Sequence, residues 1–190
     1  MTQPAPGASP VDAILVTPRW SGTIDDDWYH WLAALEPRVQ RVALPDKDAP
    51  TIDGCARAFA AALTLHNPAR VIVVGHSVSC LGWLHALSRL EVRIGGFVGV
   101  AAWWQIDKPW PTILPWQQTP LPTGALRERL GRVQVILGED DPFTADQQHN
   151  ATLWRQRLGA DVELVPGGAH FNRREEPMVA SVLRRLLSVG

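Results

Sequence analysis

Three residues in this chain are of the types that together carry out acyl transfer: Ser77, Asp141 and His170. Each stands just past a short apolar run that reads as a strand. A serine hydroxyl is a poor nucleophile by itself, so the imidazole of His170 would accept its proton during attack on a carbonyl and return it to the leaving group. A carboxylate from Asp141 would orient that imidazole and stabilise its charged form. Asp140 is the adjacent rival for this role. Asp141 is preferred because it directly precedes Pro142, which rigidifies the turn.

Ser77 lies in the run Gly75-His76-Ser77-Val78-Ser79. Before it, Val71 to Val74 are four β-branched residues without alternation, as expected of a strand buried on both faces. After it, Leu81, Leu84, Leu87 and Leu90 recur every three residues, laying an apolar stripe along a helix. A serine on so sharp a strand-to-helix bend takes a strained backbone conformation that lifts its oxygen above the sheet, a nucleophile elbow. Gly75 and Ser79 are small enough for the two backbones to pass closely. The Val78 N–H would then be one oxyanion donor, and the second is expected from the loop after the first strand, at the amide of Arg19 or Trp20. The competing reading of the bend is an ordinary β-turn-α corner with an N-capping serine. His76 adjoins Ser77, but neighbours on a tight bend point apart. His30, His66, His85 and His149 fall on helices as packing or surface residues.

The elements that must position these groups follow in order. Ala13 to Thr17 and Val39 to Leu44 are strand candidates, with a helix between them from Asp25 or Asp26 to Leu35 whose acidic first turn suits the helix dipole. Ala49 to Asn67 reads as a second helix with Thr51 as its cap, stopped by Pro68. The elbow strand and helix come next, then a strand at Gly95 to Val100. Residues 101 to 124 form a Pro- and Trp-rich segment without helical period, read either as a flap over the core or as one wall of a substrate pocket. Trp103, Trp104, Trp110 and Phe171 are the pocket candidates. Beyond it lie a helical turn at Leu126 to Leu130, a strand at Val133 to Leu137, a helix to Leu158 with a Thr144/Gln147 capping box and Gly159 at its end, a strand at Val162 to Val165, and a last helix from Pro177. Alternating strands and helices imply a three-layer sandwich, with about six mostly parallel strands and helices on both faces. Catalytic groups gather at the carboxyl ends of such strands, where all three residues fall.

Length and composition narrow the functional classes. A chain of 190 residues fits one domain, here residues 11–190 behind a flexible tail at 1–10. With 18 basic and 19 acidic residues, nothing argues for nucleic acid or an anionic membrane as partner. The longest apolar run, Ile94 to Trp104, falls far short of the roughly 20 residues of a membrane span. Met1 to Pro10 lacks the features of a secretory signal. Cys55 and Cys80 lie in helices outside any disulfide or zinc-ligand spacing, which suits a reduced, cytoplasmic setting. No metal cluster, phosphate-cradling loop or dinucleotide fingerprint is present, so neither metal nor cofactor is expected. Gly95-Gly96 precedes a strand rather than a helix.

At these motifs the chain resembles the small α/β-hydrolases of the retinoblastoma-binding protein nine type. The likeness rests on Pro18-Arg19-Trp20, Asp27-Trp28, Gly75-His76-Ser77, the Trp- and Pro-rich segment, Asp141-Pro142-Phe143 and Gly168-Ala169-His170-Phe171-Asn172. The order Ser, Asp, His along the chain is also that of α/β-hydrolases. Arg19 departs from the glycine usual there, and Ser79 from the second small glycine of the elbow. The resemblance implies a single-domain α/β-hydrolase-like fold and a Ser77, Asp141, His170 triad cleaving small carboxylic esters. Arg19, where this chain departs from the family, would sit at the pocket mouth and favour an acidic substrate. The alternative is a hydrolase-fold protein that binds a protein partner through its tryptophan-rich loop and keeps the triad as a vestige.

Overall fold

The computed structural model describes residues 11–144 and 146–188, so the tail expected at 1–10 lies outside the described residues. Six strands form one sheet: β1 (Ala13–Thr17), β2 (Val39–Arg41), β3 (Val71–His76), β4 (Gly96–Val100), β5 (Arg132–Gly138) and β6 (Asp161–Val165). Their order is β2-β1-β3-β4-β5-β6, and every pairing is parallel. The fold is thus the single-domain α/β-hydrolase-like sandwich, and β3 is central.

Alternate residues of each strand face opposite layers. Ala13, Leu15, Val71, Val73 and Phe97 pack beneath α2 (Ile52–Leu63), α3 (Val78–Ser88) and α6 (Gln147–Leu158). Ile14, Val16, Ile72, Val74 and Val98 pack beneath α1 (Tyr29–Leu35) and α7 (Pro177–Ser188). Two short helices, α4 (Leu114–Gln118) and α5 (Thr123–Arg129), complete the set. Among the described residues, no helix is long and apolar enough to cross a membrane.

Several local expectations change. The helix expected from Asp25 begins only at Tyr29, because Asp27 has φ 46° and its carboxylate turns to Arg19 instead of lining a helical first turn. Helix α3 carries more than a stripe: every residue from Val78 to Leu87 is buried, since α2 and the long 101–124 segment cover the sides the sheet leaves open. That segment also contains α4, which the prolines begin rather than prevent: Pro115 sits in its first turn, where a missing N–H costs nothing. The cap of α6 is Asp146, which accepts from His149 N at 2.8 Å, while the Thr144 hydroxyl turns to the Gln105 carbonyl. Thr51 caps α2 through Gly54 N at 3.1 Å, and Gly159 closes α6 in the left-handed region, both as expected.

Candidate active site

Ser77 sits between β3 and α3 with φ 57° and ψ −123°, a conformation that costs free energy for a non-glycine residue. It occupies the N-cap position of α3, yet its side chain makes no capping hydrogen bond, so the ordinary corner reading fails. Gly75 makes the bend possible: a Cβ there would lie 2.8 Å from Cys80 N, inside the backbone of the following helix. Ser79 points away and donates to the Pro18 carbonyl, tying the elbow to the loop after β1.

Asp141 and His170 come from the loops after β5 and β6. The two loops are drawn together by the backbone bond from Glu139 N to Val165 O (3.1 Å), and a bond from Asp141 N to Gly138 O (3.2 Å) closes the turn that carries Asp141. His170 Nδ1 lies 2.7 Å from Asp141 Oδ2, and both side chains are almost fully buried. A carboxylate only accepts, so Nδ1 carries the proton, and in a neutral imidazole Nε2 then keeps its lone pair. Asp141 Oδ1 accepts from Phe143 N at 2.9 Å, which fixes the carboxylate plane. Asp140 faces outward and accepts from Ala169 N at 2.8 Å, so it supports the histidine loop rather than the imidazole.

Ser77 and His170 line one cavity of about 90 Å³, walled on its apolar sides by Trp20, Trp103, Ile106, Trp110, Ile113 and Phe143. Ser77 Oγ accepts from Trp103 Nε1 at 3.3 Å. No hydrogen bond joins Oγ directly to His170 among the described residues, and such contacts commonly tighten only when substrate is bound. Phe143 packs edge-on against the His170 ring, with centroids 4.8 Å apart.

The oxyanion candidates divide. Val78 N opens the first turn of α3, where amides have no intrahelical partner. The Arg19 amide is engaged, donating to the Tyr29 hydroxyl at 3.1 Å, whereas the Trp20 amide has no hydrogen bond to another described residue. Arg19 is not among the described residues with positive φ, so its side chain brings no strain where glycine is usual. Its guanidinium grips Asp27 through two contacts of 2.8 and 3.3 Å. Burial alone would lower the Arg19 pKa, but the hydrogen bond and charge of Asp27 outweigh it and raise it. The positive charge expected at the pocket mouth is therefore already neutralised.

Two of the four pocket candidates lie elsewhere. Trp103 and Trp110 line the cavity, but Trp104 faces the opposite way, against Trp154 (centroids 5.0 Å apart) and under the Arg157 guanidinium. Its amide and that of Gln105 are held by Asn150 Oδ1 at 2.7 and 3.0 Å. Phe171 is buried in the layer beneath α1 and α7, because its φ of 53° turns it away from the cavity that His170 faces. Ile106, Ile113, Phe143 and Asn172 line the cavity without having been anticipated. The aromatic row Trp20, Trp110, Phe143 forms only when three distant loops meet, and no local signal marks it.

Cys55 and Cys80 are buried free thiols. Burial pushes Cys55 up to about 12 and Cys80 higher still, so neither is a nucleophile at neutral pH.

Comparison with known proteins agrees with this architecture. The family described as serine hydrolase matches residues 14–177. The ydeN gene product of B. subtilis shares 20% identity at a TM-score of 0.80, over 94% of this chain and 100% of that one. A putative yden-like hydrolase from Pectobacterium atrosepticum shares 18% at 0.69, over 93% and 91% of the two chains. A carboxylesterase structure from the thaumarchaeon Nitrososphaera gargenis shares 11% at 0.67, over 96% and 92%. No curated protein matches the sequence. With a match running from the first strand to the start of the last helix, the chain belongs to the serine hydrolase family.

Proposed function

We propose that this protein hydrolyses small carboxylic esters through an acyl-enzyme on Ser77. His170 Nε2 removes the Ser77 proton as Oγ attacks the ester carbonyl, and the amides of Val78 and Trp20 receive the negative charge that develops on the carbonyl oxygen. The imidazolium then protonates the departing alcohol. Water, deprotonated by the same nitrogen, releases the acid and restores Ser77. Asp141 holds the tautomer that leaves Nε2 free. The observation that carries this reading is the 2.7 Å contact between His170 Nδ1 and Asp141 Oδ2, beside a serine held at φ 57° on the same cavity.

The motifs shared with the retinoblastoma-binding protein nine type support the same roles. The substrate class follows from size and lining. The cavity is small, about 90 Å³, and its walls are mostly apolar side chains. Such a space suits a short, uncharged acyl group, with the alcohol directed to solvent. The test is labelling by a fluorophosphonate probe. Labelling of the wild type that disappears in Ser77→Ala is expected. A wild type that stays inert would overturn the reading in favour of a binding protein with a vestigial triad.

A further inference from the structure

His76, adjacent to Ser77, is fully buried and takes no part in the mechanism above, yet both its ring nitrogens are engaged. Nε2 lies 2.8 Å from the backbone carbonyl of His170, and Nδ1 lies 2.6 Å from the Tyr29 hydroxyl. A carbonyl only accepts, so Nε2 carries the proton. In a neutral imidazole Nδ1 must then accept, and the Tyr29 hydroxyl must donate. That hydroxyl has one proton and a second acceptor, Asp27 Oδ2, at 3.2 Å; the shorter contact and the needs of the imidazole assign the proton to His76. The hydroxyl lone pair in turn accepts from the Arg19 amide at 3.1 Å.

The result is a head-to-tail chain: Arg19 N–H to Tyr29 Oη–H to His76 Nδ1, and His76 Nε2–H to the His170 carbonyl. One end is the residue before Trp20, the other is the residue whose imidazole faces the cavity. The two links made by His76 are buried, so neither is readily replaced by solvent. The segment at the far end needs holding, because Ala169 and Phe171 both have positive φ. Trp28 Nε1 secures the next carbonyl, that of Phe171, at 3.0 Å.

We infer that Tyr29 and His76 are positioning residues, forming a relay that sets the Trp20 amide and the His170 imidazole in register on either side of Ser77. The inference rests on the hydrolase reading. Neither residue lines the cavity, so the relay acts on the chemical step and leaves substrate binding alone.

Tyr29→Phe removes one oxygen and keeps the ring packing against Trp28 and His76. The expected result is a kcat lowered about 10- to 100-fold with KM within about twofold. Long-range nitrogen–proton NMR should show His76 as the Nε2–H tautomer in the wild type and a mixture in Tyr29→Phe. His76→Gln, whose amide can reach the His170 carbonyl, should retain more activity than His76→Asn, whose amide falls on the Tyr29 side. A wild-type His76 found as Nδ1–H, or an unchanged kcat in Tyr29→Phe, would overturn the relay. Equal losses in the Gln and Asn variants would overturn it as well, reducing His76 to packing. A wild type that fails to label with fluorophosphonate sinks the hydrolase reading instead, and a labelled wild type with undiminished Tyr29→Phe turnover sinks the relay alone.

Discussion

The backbone of Gly138 lies directly against that of Ala169: a Cβ on Gly138 would stand 2.1 Å from the Ala169 carbonyl oxygen. This approach brings the loop after β5 close enough to the loop after β6 for Asp141 to reach His170. Backbone faces backbone here, so no side chain can swing aside. Gly138→Ala is expected to destabilise the fold by about 1–3 kcal/mol, a Tm decrease on the order of 5 °C. Phosphonate labelling should fall further than that loss accounts for. Calorimetry together with labelling rates tests it, and an alanine variant with wild-type labelling would show the approach to be dispensable.

The proposed roles of Ser77 and Asp141 predict losses of different depth. Ser77→Ala should lower kcat by about 10⁶ and Asp141→Asn by about 10⁴, because the amide favours the wrong imidazole tautomer. Both variants should keep the wild-type Tm within a few degrees. Steady-state hydrolysis of a chromogenic acetate ester measures the two.

The cavity predicts selectivity by acyl length. Acetate and butyrate esters should be turned over at least about tenfold faster than octanoate esters, given the size of the space. Ile113→Ala, which removes part of the wall without touching the hydrogen bonds of the site, should narrow that ratio. Because Asp27 neutralises Arg19, carboxylate-bearing acyl groups should gain nothing over neutral ones. A panel of p-nitrophenyl esters decides all three points.

Acid should weaken the fold through two buried histidines. Burial, with His170 nearby, holds His76 well below the ordinary value of 6.5, and burial with the Arg89 charge brings His85 down to about 4. Below about pH 6.5 the unfolded chain takes up these protons and the folded chain does not. Stability is therefore fully present above that pH and is lost as pH falls toward the folded values, by up to ~1.4 kcal/mol per pH unit for each group. Thermal denaturation between pH 7.5 and 4.5 should show this slope, and His85→Gln should make it shallower.

The sequence made the alternation of strands and helices, the elbow, the Thr51 cap of α2 and the Gly159 end of α6 legible because each rests on neighbours along the chain. Four β-branched residues, a glycine and a serine suffice to call β3 and its bend. Whatever depends on a distant partner stayed hidden. Asp27 leaves the helix because Arg19 holds it, and Asn150 fixes residues 104 and 105 from across a fold. Trp103 and Trp104 are indistinguishable by type, and an irregular backbone gives no parity from which to tell which one faces the cavity. The sequence places His76 on a tight bend that points it away from Ser77. The side chain does point away, and arrives at the back of His170.

The total burial of α3 has a cost outside the native state. From residue 71 to residue 88 the chain holds no Asp, Glu, Lys or Arg, so before it is enclosed it is a long uncharged β-prone stretch of the kind that self-associates. Arg70 and Arg89 flank it as gatekeepers, and on folding they engage Asp12 and Asp53. The part of the chain that presents the hydroxyl is thus also its main aggregation hazard, and the yield on dilution from denaturant should fall steeply as protein concentration rises.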